Sequence, residues 1–399
     1  MTQRHLRIAL YSHDTMGLGH MRRNLLLAEE LAASPMQPNV LLISGSREVT
    51  RFAVSRGIDV ISLPALYKDA SATYHARSLD VSLDEVIALR SATILGALRA
   101  FDPDLFVVDN VPRGAVRELD ATLVYLRRRG RTRCVLGLRD ILDDALHVRA
   151  EWARADNFTT VQRNFDAIWV YGDQAVADVA EEYAFPAELA SRMRYTGYLD
   201  QRSRLAAHAA GTPVDHVDEH TVLCMLGGGQ DGMALAESFA KTTFVAPLRG
   251  LLVTGPLMAA PRREALMQAA ARNPRLRVVD FIANPVAAMR AAHSVITMGG
   301  YNGICDVLSV RARALVVPRV VPRMEQLIRA QRLAARGLVD MMHPDDVNAD
   351  TLAAWITSDA PRKAVRPVRM HTPQGFHELL ADALATIPMQ ATAAVRHAS

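Results

Sequence analysis

Short apolar runs alternate with longer amphipathic stretches along most of the chain. In the first half the runs are "LRIALYS", "NVLLIS", "IDVISL", "LFVVDN", "CVLGLRD" and "AIWVYG". Their length and continuous apolar character predict buried strands. Between them the period changes to that of a helix. From His20 onward, Met21, Leu25, Ala28 and Ala32 share one face, and further helices are expected from about Leu83 to Phe101 and through "AVRELDATLVYLRRRG". Near residue 200 the alternation stops. The stretch "DQRSRLAAHAAGTPVDHVDEH" is polar, holds Gly211 and Pro213, and reads as a linker. Beyond it the alternation restarts with "TVLCML", "GLLVTG", "RVVDF", "SVITM" and "RALVVP". Strands that alternate with helices predict parallel, doubly wound sheets, so the expected fold class is α/β. The expected organisation is a first domain over 1–204, a linker over 205–219 and a second domain over 220–372. A closing helix is expected over 373–388, around "GFHELLADALATI", and a flexible tail over 389–399. Residues 68–82, "KDASATYHARSLDVS", are expected to form a long mobile loop at the rim of the first sheet.

A chain of 399 residues exceeds the usual single-core limit, which agrees with two domains. Half the residues are hydrophobic and 22% are charged, the balance of an ordinary soluble enzyme. The net charge of +4 comes from scattered arginines, densest at Arg127 to Arg133, where a predicted helix ends and cations suit its dipole. No aromatic platform interleaves with them, so nucleic acid is not an expected partner, whereas an anionic substrate or membrane face is. Cys134, Cys224 and Cys305 have no metal-site spacing and lie in or beside apolar segments, as small core residues in a reducing compartment do. The N-terminus is too short in apolar residues for a signal peptide, and no run reaches the roughly 18 apolar residues of a membrane span. The expected location is therefore cytoplasmic, with peripheral contact at the inner face of the membrane.

Three glycine clusters follow predicted strands: Gly17-Leu18-Gly19-His20, "LGGGQDG" from Leu226 to Gly232, and "MGGYNG" from Met298 to Gly303. In open parallel sheets, ligands bind beyond the carboxyl ends of strands, and glycine lets the backbone and free helix N–H groups approach a phosphate. One such cluster is more often only a turn. Two in the same domain can grip a single diphosphate from two sides.

The most specific stretch is "GGYNGICDVLSVRARALVVPRVVPRMEQLIRAQRL". It resembles the donor-binding segment of the GT-B glycosyltransferases, in the branch that holds the peptidoglycan N-acetylglucosaminyltransferase and the plant and bacterial UDP-sugar transferases. The resemblance covers about 35 residues closely and the two-domain layout over nearly the whole chain. It implies two Rossmann-like domains that face each other across a central cleft, with the closing helix over 373–388 packed back on the first domain. It also implies that Gly299, Gly300, Tyr301 and Asn302 hold the donor phosphates and that Asp306 binds the ribose hydroxyls. Glu325 and Gln326 would face the donor sugar or ribose. Gly228, Gly229 and Gln230 would close over the diphosphate, and backbone around Phe281 and Ile282 would meet the nucleobase. The chain departs from the family in three places. Asp306 stands where Glu is commoner, Glu325 where Asp is often found, and the second glycine loop lacks a frequent serine.

Glycosyl transfer needs a base for the acceptor hydroxyl and stabilisation of the leaving diphosphate. His20, at the first glycine turn, is the candidate base; its bland alternatives are a helix cap or simple packing. His13 is its nearest rival. A carboxylate that fixes the histidine tautomer is expected at Asp109, with Asp140 and Asp14 as competitors, and the bland role of Asp109 is a turn before Pro112. Gly17 and Gly19 would form an acceptor or phosphate loop. Asp102-Pro103-Asp104 precedes its strand, away from the cleft, and reads as a helix stop. No metal and no cofactor beyond the nucleotide-sugar co-substrate are expected. Retaining GT-B enzymes commonly carry a second acid eight residues before the position of Asp306. Here that residue is Met298, which points to inversion. The expected activity is transfer of a sugar, most simply from a UDP-sugar, to a hydroxyl acceptor that the sequence leaves unidentified. A nucleotide-sugar epimerase, a hydrolase and a non-catalytic nucleotide-sugar-binding protein are the alternatives.

Overall fold

The structure is a computed structural model. It describes residues 5–15, 19–51, 54–69, 73–203, 217–358 and 367–385. Most of the expected linker, the expected tail and Gly17 lie outside the described residues.

Two parallel sheets form the molecule. The first has seven strands in the order β3-β2-β1-β6-β7-β8-β9. These are β1 (Arg7–Ser12), β2 (Asn39–Ser44), β3 (Ile58–Ser62), β6 (Leu105–Asp109), β7 (Arg133–Arg139), β8 (Ala167–Tyr171) and β9 (Met193–Tyr195). The strands β4 (Leu66–Lys68) and β5 (Tyr74–Ala76) stand apart as an antiparallel pair. The second sheet has six strands in the order β12-β11-β10-β13-β14-β15. They are β10 (Thr221–Met225), β11 (Arg249–Val253), β12 (Leu276–Val279), β13 (Ser294–Thr297), β14 (Ala314–Val316) and β15 (Asp340–Met341). Every pairing in both sheets is parallel.

The strands are apolar because helices cover both faces. Leu10, Val107, Val135 and Trp169 project into one core and Ala9, Phe106, Leu136 and Val170 into another on the opposite face. Burial of a side chain of this size contributes about 1.5–3 kcal/mol relative to exposure. The first of these cores runs on into the second domain, through Leu223 and Val295 of its sheet and Ile304 of the helix Tyr301–Val310. The chain then returns: Met370 bridges to Tyr198, and the helix Pro373–Ala385 sets Phe376 edge-on against Trp169 of β8.

The segment expected to be a mobile loop is different. Its described residues include β5 and part of β4, and it ends at Ser82, which caps the helix Leu83–Phe101 in a reciprocal capping box with Glu85. The hairpin strands are only three residues long, below the length at which apolar alternation is visible. Strands β9 and β15 escape the sequence pattern for the same reason.

In each sheet the strand order reverses next to the first strand of the domain, between β1 and β6 and between β10 and β13. Such switch points open a crevice at the carboxyl ends. His20 and Asp109 flank the first. The second and third glycine clusters flank the other.

Candidate active site

The helix Gly19–Ala32 starts just beyond β1 and sets His20 in its first turn. His20 Nδ1 lies 2.5 Å from Oδ2 of Asp109, the last residue of β6. One turn further on, Arg23 clamps the same carboxylate. Its Nε donates to Oδ1 at 2.8 Å, and its Nη2 reaches both oxygens at 2.6 Å. Asp109 is fully buried. Burial alone would raise its carboxyl, but Arg23 and His20 outweigh that and hold it well below the usual carboxylate range. An ionised Asp109 accepts a hydrogen bond from Nδ1–H, which leaves Nε2 as the nitrogen without a proton; the tautomer follows from this network. Arg23 Nη2 also stands 3.0 Å from Nδ1, and its protons belong to Asp109. The His20 side chain is 16% exposed, enough to meet a substrate while its partners stay dry.

The two competing carboxylates are committed elsewhere. Asp14 accepts from the Ser12 and Ser44 hydroxyls at 2.5 and 2.6 Å, and burial raises its carboxyl. Asp140 takes a fork of bonds from Arg329, the shortest 2.6 Å, and accepts from Tyr198 Oη at 2.9 Å. His13 is buried with its ring centroid 4.8 Å from that of His20. Burial, then the neighbouring His20, pulls its pKa well below the ordinary histidine value.

The second domain presents its two loops at the other switch point. Gly227, Gly229 and Gly232 all have positive φ. A Cβ on Gly229 would stand 2.3 Å from the Thr254 carbonyl oxygen, so this glycine is required by the loop itself. Gln230 is exposed beside it. In the third cluster the glycines divide by role. A Cβ on Gly299 would meet the Gln326 carbonyl oxygen at 2.8 Å, whereas one on Gly300 would meet nothing within 4 Å. Gly300 caps the helix Tyr301–Val310 with no side chain, and the first-turn N–H groups of that helix have no partner within it. That end is suited to an anion.

Several residues assigned by resemblance have definite surroundings. The Tyr301 ring is buried and lies 5.4 and 5.7 Å from the guanidinium carbons of Arg23 and Arg329, so only its backbone can face a phosphate. Asn302 Nδ2 donates to the Gly19 carbonyl at 2.9 Å and ties the third glycine cluster to the first across the cleft. Asp306 is 2% exposed, with Oδ2 3.5 Å from Arg22 Nη2, which turns it toward the helix Gly19–Ala32. Glu325 accepts from Arg319 Nη2 at 2.7 Å, and Gln326 Oε1 accepts from the Arg319 backbone N–H at 3.1 Å. The other arm of Arg319 donates to Asp231 at 2.9 Å and so joins the second glycine loop to the Glu325 turn. The Phe281 side chain is 54% exposed, and Ile282 is in the core. Arg23, Arg319, Arg329 and Arg139 were not singled out by sequence. Only Arg23 carried a usable signal, its i+3 spacing from His20.

Residues 222–382 match the family model of the glycosyltransferase family 28 C-terminal domain. This chain has the GT-B fold of glycosyltransferases. The whole fold agrees. Calicheamicin glycosyltransferase CalG4 superposes with a TM-score of 0.60 at 16% identity, over 97% of this chain and 100% of that one. MurG of Acinetobacter baumannii gives 0.58 at 15% identity, over 94% and 99%. LpCGTa, in a complex with UDP, gives 0.55 at 13% identity, over 98% and 96%. No curated protein sequence matches the chain. The family match covers the sheet that carries the second and third glycine clusters. The His20–Asp109–Arg23 network lies outside it.

Proposed function

We propose that the protein is an inverting glycosyltransferase that moves a sugar from a nucleotide-sugar, foremost a UDP-sugar, to an acceptor hydroxyl, with His20 as the base. The observation that carries this reading is the buried His20–Asp109–Arg23 network joined to the third glycine cluster through the Asn302–Gly19 contact. In the proposed step, His20 Nε2 removes the hydroxyl proton while the acceptor oxygen attacks the anomeric carbon. The bond from that carbon to the phosphate oxygen breaks, and its electron pair leaves on the diphosphate. Asp109 balances the imidazolium, and the N-terminus of the helix Tyr301–Val310 stabilises the developing negative charge. Such backbone stabilisation requires no metal and no cofactor. The UDP assignment is supported by the donor-segment resemblance and by the UDP complex of LpCGTa, a neighbour in fold.

Expected placement is the cytoplasm, at the inner membrane face. Cys134, Cys224 and Cys305 are free and buried, and burial pushes the Cys305 thiol up to about 12, as suits inert core thiols. Among the described residues, no helix is long and apolar enough to cross a membrane.

A donor screen against cell extract, read by mass spectrometry, tests the activity. A sugar-bearing product from wild type supports it. Free sugar, an epimerised donor, or binding without turnover would replace it with the hydrolase, epimerase or binding-protein reading. With the donor identified, His20→Ala is expected to lower kcat by about 10²–10⁴-fold with donor affinity nearly unchanged. Full activity in that variant would remove His20 from the mechanism.

A further inference from the structure

Four arginines converge where the two sheets meet, and three of them are committed. Arg23 is spent on Asp109, Arg329 on Asp140 and the Gly299 carbonyl, and Arg319 on Asp231 and Glu325. Arg139 is the fourth. It ends β7, in register with Tyr171 at the end of β8. Asp109 pairs with Gly137 in the sheet, so Arg139 stands one same-face step beyond Asp109, at the carboxyl edge. Its side chain is half-buried, and its Nε is shut off from solvent without a hydrogen-bond partner. Among the described residues no carboxylate comes within ion-pair distance of it. The two aspartates of this row, Asp109 and Asp140, are each neutralised by another arginine. Arg139 is therefore the one guanidinium of the four that makes no ion pair, at the carboxyl edge of the first sheet.

Retaining such a cation is costly unless something pairs with it. Burial and the neighbouring Arg23 and Arg329 push its guanidinium down to about 10, whereas the paired Arg23 and Arg329 are shifted up. A planar guanidinium with free N–H groups matches phosphate and carboxylate oxygens bidentately. The Tyr171 hydroxyl on the next strand is also buried without a hydrogen-bond partner. Across the cleft, Glu325 keeps one oxygen, Oε2, without a hydrogen bond.

We propose that Arg139 receives an oxyanion, phosphate or carboxylate, that is part of the acceptor and anchors it beside His20. The proposal rests on the glycosyl-transfer reading of the cleft and gives the unidentified acceptor a chemical class. It assigns the anion to the acceptor and not to the donor, because Arg139 belongs to the first sheet while the glycine loops proposed for the diphosphate belong to the second.

Inorganic phosphate and UDP are the probes, each titrated calorimetrically into wild type, Arg139→Gln and Arg139→Lys, the phosphate with and without saturating UDP. The expected result is phosphate binding to the UDP-saturated wild type, weakened at least tenfold in Arg139→Gln and partly kept in Arg139→Lys, with equal UDP affinity in all three. The Arg139 side chain makes no ion pair or hydrogen bond among the described residues, so its replacement should leave the fold intact, and an unchanged Tm checks this. Phosphate affinity that is the same in Arg139→Gln would overturn the proposal. So would phosphate that UDP displaces, or a loss of UDP affinity in Arg139→Gln, either of which would assign Arg139 to the donor. Should wild type bind no UDP, the donor reading fails by itself, and the nucleotide-free phosphate titration still decides whether Arg139 is an anion receptor.

Discussion

Asp109 shows how far a single side chain can be committed. It is buried, ionised, and shared between a histidine that needs its tautomer fixed and an arginine that needs its charge balanced. Asp109→Asn would leave Arg23 unpaired in the interior, a change that typically costs about 3–5 kcal/mol. It would also remove the acceptor that holds Nδ1–H. The expected outcome is a loss of both Tm and kcat, whereas His20→Ala, at a partly open position, should lose mainly kcat. Equal stability of Asp109→Asn and wild type in urea would contradict this. The glycines give a second contrast. Gly299→Ala should destabilise by about 1–3 kcal/mol, since its Cβ would press on the Gln326 carbonyl. Gly300→Val should keep the wild-type Tm and lose nucleotide affinity, because its Cβ meets only open space in the protein. Calorimetry with UDP beside thermal unfolding separates the two. The sequence made both glycines visible as one cluster. It could not divide them, because the division depends on Gln326, which reaches Gly299 only through the fold.

At the scale of elements, the strands were legible wherever burial on both faces made an apolar run, even over the three residues of β14, and illegible where a strand of two or three residues is only partly buried, as in β5 and β15. The return of the chain to the first sheet depends on one short segment. Met370 bridges to Tyr198, and the His371 N–H donates to the Tyr198 carbonyl at 2.8 Å. The preceding Gly197 must be a glycine: a Cβ there would lie 2.7 Å from the Met370 carbonyl carbon. His371 is buried, and burial pushes its pKa down to about 4, with Asp200 opposing this and His377 adding to it. Its Nε2 stands 3.2 Å from Glu30 on the helix Gly19–Ala32. The folded pKa is depressed, so the unfolded chain binds the proton more readily. The stability contribution is complete above the unfolded value of about 6.5 and is lost as pH falls toward 4. The docked helix Pro373–Ala385 is therefore expected to loosen first as the medium is acidified. Hydrogen exchange should show that helix losing protection between pH 6.5 and 4, and His371→Gln should flatten that dependence. Uniform loss over the whole chain would show that His371 does not govern it.

Across the whole molecule, one helix does most of the joining. Glu325–Ala335 carries Arg329, whose guanidinium reaches Asp140, the Gly299 carbonyl and the Ile141 carbonyl, and Arg332, whose two arms meet Glu182 at 2.8 Å. The turn before it adds a bond from the Met324 N–H to Asp143 at 2.6 Å. None of this was legible in the sequence, because partners such as Asp140 and Arg329 are separated by 189 positions and share no pattern. The two ion pairs should not be worth the same. Arg332 and Glu182 are partly solvated, so Arg332→Ala is expected to cost no more than about 1 kcal/mol and to lose even that in high salt. Arg329 and Asp140 are fully buried. Removal of either alone strands a charge in the interior, at about 3–5 kcal/mol, while removal of both avoids that penalty. Arg329→Met, Asp140→Leu and the double variant, unfolded in urea, form the cycle that measures it. The double variant is expected to be more stable than at least one single variant. Additive losses would mean that the pair holds the two sheets together through its attraction, and not merely because each charge needs the other.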